Sequence, residues 1–137
     1  MSPARSAAER RGRLRGDVGA AIVDFALVAG LVTLVFAAVI QLTLALHVRN
    51  TLVDCAAEGA RYAALADRSP ADGAARTRAL IGLSLAPGFA DDVTVTDSTF
   101  EGVPVIEVRV RAPLPVAGLL GRAGAISVTG HALREAR

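Results

Sequence analysis

The chain has 137 residues, of which 53% are hydrophobic, 20% charged and only 4% aromatic. That length fits one ordinary domain, the apolar excess excludes a mainly disordered chain, and the scarcity of aromatics points to a membrane rather than a dense core. The single Cys excludes an internal disulfide and a Cys-based zinc site, and His47 and His131 lack the spacing of a ligand cluster.

The net charge of +2 is unevenly placed. Residues 1–19 carry five Arg against Glu9 and Asp17, residues 20–46 carry only Asp24, and residues 47–137 balance ten Arg with ten acids. The basic excess is thus a short N-terminal patch, not the face of a nucleic-acid-binding domain.

After the patch comes Phe25–Leu46, 22 residues without a charge and with only Thr33, Gln41 and Thr43 as polar interruptions. As a helix it would span roughly 33 Å, close to the hydrocarbon thickness of a bilayer. It exceeds the ~7–15-residue apolar core of a secretory signal, and no small-x-small cleavage site follows, so it reads as a retained span. Arg10, Arg11, Arg13 and Arg15 precede it, whereas Arg49 and Arg61 beyond it are diluted by Asp54 and Glu58. The positive-inside bias puts the N-terminus in the cytoplasm and residues 47–137 outside.

Asp24 is the exception in this apolar stretch. A lone carboxylate there is costly, on the order of 2.5–3.5 kcal/mol at mid-bilayer and less near the interface, and it needs a partner. Gly19 lies five positions upstream, and Ala20, Ala21, Ile22 and Val23 between them are small or apolar. A cut after Gly19 would give Ala20 a free ammonium one helical turn from Asp24, on the same face.

Beyond the span, Val48, Leu52, Cys55, Gly59, Tyr62 and Ala66 recur on one helical face, with Asn50, Asp54, Glu58, Arg61 and Arg68 opposite. The many Ala and Gly residues between 55 and 64 allow another backbone to come close. That backbone belongs either to the chain's own sheet or to a neighbouring subunit. "SPADG" at 69–73 reads as a helix break, followed by a short helix over 74–85. Alternation then predicts strands over 92–97, 103–111 and 125–133, with a hairpin connection at 98–102 and a Pro/Gly-rich crossing loop at 112–124. A sheet with one apolar face needs a cover, which the post-membrane helix supplies.

Three strings, "RG" followed by "VGAAIVDFALV", "LVDCAAEGARYAAL" at 52–65 and "AISVTGHALRE" near the end, resemble the TadE-like family of pilin-like proteins from tight-adherence (Flp) type IV pilus systems. Asp24 stands where the family usually has Glu, and Gly30 where it often has Pro. The resemblance implies a pilin-like α+β fold, a single transmembrane helix continuing outside and packed on a small antiparallel sheet. It implies three regions: a basic prepilin-type leader at 1–19, a transmembrane helix at 20–46 and an extracytoplasmic α+β domain at 47–137. It further implies processing between Gly19 and Ala20 by a prepilin peptidase, and an assembly role for Asp24, with Phe25 beside it. Cys55, Glu58, Gly59, Arg61 and Tyr62 become candidate helix-packing contacts.

The function so implied is that of a minor pilin or pseudopilin in pilus biogenesis and adhesion. Its partners would be the bacterial cytoplasmic membrane, the peptidase, other Tad assembly proteins and pilin-like subunits. An uncleaved, signal-anchored binding or accessory protein is the alternative. No catalytic motif, cofactor, metal, nucleic-acid or small-molecule substrate is expected. His131 reads as a solvent-facing strand residue, His47 as an interfacial polar residue and Asp91–Asp92 as a solvated turn. Cys55 reads as a buried small side chain, with an intersubunit disulfide as the other option.

Overall fold

The computed structural model describes residues 3–114 and 124–135, with side chains from Val18 onward. The chain runs α1 (Pro3–Ala64), α2 (Pro70–Ser84), a short 3-10 turn (Pro87–Ala90), β1 (Asp92–Phe100), β2 (Val103–Pro113) and β3 (Ala125–Leu133). It divides into two units, residues 1–40 and 41–137.

In the first unit, helix α1 leaves every side chain from Val18 to Ile40 exposed. Its most apolar stretch has a mean hydropathy of 2.5 over 18 residues, none of them buried. A helix apolar on all sides matches a hydrocarbon surround rather than a protein core. Thr33 donates its hydroxyl to the Ala29 carbonyl at 2.8 Å, so this polar group is satisfied inside the helix.

The second unit is an α+β fold. Its sheet is an antiparallel meander in the order β1-β2-β3. Val93, Val110 and Val128 align across it on the buried face, and so do Val95, Val108 and Gly130. The residues of α1 beyond position 40 cover that face. Val48, Leu52, Cys55, Ala56, Ala60, Ala63 and Ala64 join Ile81, Ile106, Val108 and Val110 in one core. Gly130 permits the closest approach: a methyl there would lie 2.5 Å from the Ala56–Ala57 backbone. Helix α2 packs beside α1 in the same manner. A methyl on Gly73 would meet the Ala63 Cβ at 2.5 Å, and one on Gly59 would overlap the Thr77 Oγ1. Arg78 donates to the Val93 carbonyl at 3.0 Å and ties α2 to the edge strand.

Several boundaries differ from those the sequence predicts, among them the end of β2, which runs to Pro113 rather than to 111 and takes the first two residues of the expected crossing loop. The segment 69–73 does not break a helix; it starts one. Ser69 is the N-cap, Pro70 opens the first turn, and Asp72 completes a capping box. The hairpin connection is two residues, not five. Phe100 pairs directly with Val103, and Glu101 (φ +50°) and Gly102 (φ +81°) supply the two left-handed positions of a type I′ turn. The buried face of α1 ends on Ala63 and Ala64 rather than on Tyr62 and Ala66, because Tyr62 sits at the helix edge under arginines of the next segment. Of the predicted crossing loop, residues 115–123 lie outside the described residues.

Opposite signs are expected at two glycines. Gly130→Ala should cost about 1–3 kcal/mol by overpacking against the helix backbone. Gly82→Ala, in a helix with open space around it, should gain up to about 1 kcal/mol. Denaturant midpoints of the full chain in detergent measure both.

The capping box also carries a pH signature. The Ser69 hydroxyl and N–H donate to the Asp72 carboxylate at 2.7 and 2.8 Å, and these bonds hold its pKa below the ordinary value. A depressed folded pKa contributes stability above the unfolded value of ~3.9, and that contribution disappears as pH falls through the lower folded value. The stability gap between wild type and Asp72→Asn should therefore be widest near neutral pH and close in that acid range, as melts at stepped pH would show.

Candidate processing and assembly site

The first candidate cluster lies on one stretch of α1. Gly19 has no neighbouring atom where a side chain would stand, and Ala20 and Asp24, four residues apart, share a helix face. Along that face Asp24 is flanked by Ala20, Ala21, Leu27 and Val28, all apolar, with Phe25 exposed beside it. Asp24 makes no ion pair among the described residues. The sequence places an acid on a lipid-like surface, and the structure leaves it open to a partner from outside this stretch.

The second cluster belongs to the folded unit and splits by environment. Cys55 and Gly59 face the core. Burial pushes the Cys55 thiol pKa up, and neighbouring Asp54 adds to the effect. Glu58 and Arg61 form an i,i+3 ion pair at 3.4 Å on the outer side of α1. Tyr62 is half-buried, with the Arg68 guanidinium 4.8 Å and the Arg76 guanidinium 5.9 Å from its ring centre. The small-residue string 55–64 is thus largely consumed by the chain's own sheet and α2, while Glu58 and Arg61 remain on its surface.

The model of the family described as TadE-like protein matches residues 19–61. This segment is similar to the TadE-like family. The match opens at Gly19, takes in Asp24 and the whole apolar run, and closes at Arg61 within the helix that covers the sheet. It spans less than a third of the chain. No curated protein and no solved structure matches. A TadE-like segment points to Tad pilus systems, and its helix has the length and composition of a single membrane span.

Two groupings lie outside the TadE-like segment and were not singled out from sequence. The arginine pair around Tyr62 depends on how α2 folds back on α1, which no local pattern announces. On the outer sheet face, Glu107 bonds Arg109 at 2.7 Å and approaches His131 at 3.4 Å. Strand alternation puts all three on that face, but only the β2–β3 register brings His131 opposite Glu107. Among the described residues, no three His, Cys, Asp or Glu side chains gather as a metal site.

The environment of Cys55 makes a chemical prediction. A buried thiol with a raised pKa is a poor nucleophile. In the native full-length protein in detergent at pH 8, Cys55 should resist iodoacetamide, and it should react promptly once denaturant opens the core. Mass spectrometry of the labelled peptide distinguishes the two states.

Proposed function

We propose that the protein is a minor pilin or pseudopilin of a Tad (Flp) pilus system. In this reading a prepilin peptidase cuts between Gly19 and Ala20 at the cytoplasmic face. The apolar helix holds the subunit in the membrane with residues 47–137 outside, and the same helix later packs among those of other pilin-like subunits. One observation carries the proposal. A lone acid stands on an apolar helix surface, one turn from the position where the cut would create an amine, and the TadE-like match begins at the residue before that cut.

The chemistry gives each residue a task. Gly19 offers the peptidase no side chain at the scissile bond. Ala20 carries the new ammonium. Asp24 neutralises that ammonium, in its own subunit or in a neighbour, where either charge alone is expensive in an apolar surround. Phe25 begins the continuous hydrocarbon surface next to the pair.

Processing is tested first. Wild-type protein from cells with an active prepilin peptidase should begin at Ala20, and Gly19→Leu should remain uncut. Full-length wild-type protein by mass spectrometry would instead indicate a signal-anchored accessory protein.

Assembly is tested at Asp24. Asp24→Asn should insert and be cleaved but fail to restore surface pili to a deletion strain, whereas Asp24→Glu should restore them. Normal piliation with Asp24→Asn would remove the acid from the assembly contact.

A further inference from the structure

The folded unit carries an apolar knob on one layer and a largely apolar hole on the other, and neither is used among the described residues. Leu83 on α2 is 85% exposed, more than any other large apolar side chain described. Arg76 and Ala79 lie on the same exposed helix face, at i−7 and i−4 from it. The hole is on the outer face of the sheet. There Phe100 and Leu133, 66% and 68% exposed, stand around the buried Val105 and, with Ala132 and the imidazole of His131 at one side, line a cleft of about 240 Å³. An enclosed apolar cavity of ~150 Å³ already admits benzene, so this cleft has room for a leucine side chain.

Charge and spacing match as well. Glu101 follows Phe100 in the β1–β2 turn, beyond the end of the hole. It is held at φ +50°, a left-handed position that Asn, Asp or Gly fills at lower cost, and it makes no ion pair among the described residues. From the Val105–Ser98 pair on the cleft floor to Glu101 is three strand residues, about 10 Å. From Leu83 to Arg76 is seven helical residues, also about 10 Å. With Leu83 seated in the hole, Arg76 meets Glu101 and Ala79 comes over Val103.

We propose that a second copy of this chain is the occupant: the α2 face of one copy docks on the outer sheet face of the next. Knob and hole lie on opposite layers of the same unit, so one molecule cannot satisfy itself. The contact is heterologous, and it leaves a free knob at one end and a free hole at the other. Such contacts propagate as open chains unless the rotation closes them. The proposal concerns the folded unit alone and does not depend on cleavage or on Asp24.

The test uses the full chain in phosphatidylcholine vesicles, with Cys55→Ala throughout. Two preparations, Ala79→Cys and Val103→Cys, are co-reconstituted and oxidised. The expected product is a mixed disulfide dimer, well above either like-with-like dimer. Adding Leu83→Ser to the Ala79→Cys chain should abolish it.

A charge exchange supplies an independent arm. In chains carrying both cysteines, Glu101→Arg alone and Arg76→Glu alone should each lower the crosslink yield at least about tenfold, since like charges would meet beyond the hole. An equal mixture of the two variants should regain it, because every contact between unlike variants pairs opposite charges while like-with-like contacts stay repulsive. Melting temperatures equal to the parent confirm that the folds are intact. Absence of the mixed dimer, dominance of like-with-like dimers, or failure of the mixture to recover would overturn the proposal.

Discussion

Helix α1 and strand β3 meet backbone to backbone where Ala56 and Ala57 lie over Gly130, and the rest of the described residues beyond position 40 is arranged around that approach. The distance admits no Cβ on the strand and only methyl groups along the helix. The core therefore gains its area from many small contacts: Ala56, Ala60 and Ala63 are fully buried, and the bulk comes from Leu52, Ile81 and the valines of β2. A core of this kind depends on fit more than on the size of any side chain. The same closeness recurs between α1 and α2 at Gly59 and Gly73, so both partners of the helix are fixed by absent side chains.

Small residues serve two different ends along one helix. Between positions 55 and 64 they let α1 settle onto the strands and onto α2. Between 18 and 40 they alternate with Leu, Val, Ile and Phe on a surface that is exposed throughout, which suits a hydrocarbon environment. Asp24 is the departure from that surface, and the TadE-like match contains both kinds of segment. A helix with an apolar half and a covering half is a coherent solution for a subunit that must be held in a bilayer while its remaining residues fold in water.

Much of this was legible in the sequence, and the reasons differ by element. The span is set by composition alone, since 22 uncharged residues from Phe25 to Leu46 exceed what a small soluble core needs. The strands announce themselves through alternation, and β3 runs over 125–133 as predicted. The start of α2 departs from the sequence pattern because Ser-Pro-Ala-Asp-Gly contains both breakers and helix-starting residues. Here Pro sits in the first turn, where its missing N–H is harmless, and Asp72 closes the box with Ser69. The hairpin is shorter than the sequence suggests because Glu is an unusual occupant of a left-handed turn position. For the candidate site, the acid and the glycine before it could be read from spacing. The edge position of Tyr62 and the pairing of Glu107 with His131 could not, because both depend on register and helix docking set by residues far away in the chain.

One hydrogen bond has a consequence for how the protein is made. The Glu135 N–H donates to the Ala64 carbonyl at 3.0 Å, so the last described residue satisfies an acceptor at the end of the first helix. Between them lie α2 and the whole sheet, and β3, which faces Ala56, is the last of the strands. During synthesis, α1 would leave the ribosome with its alanine-rich side bare; α2 could cover it early at Gly59 and Ala63, but the part that meets Gly130 stays open until β3 has followed. A chain ordered in this way relies on late, long-range closure. Its early helix spends the interval as an exposed apolar surface, which favours delivery to a bilayer before folding over release into water.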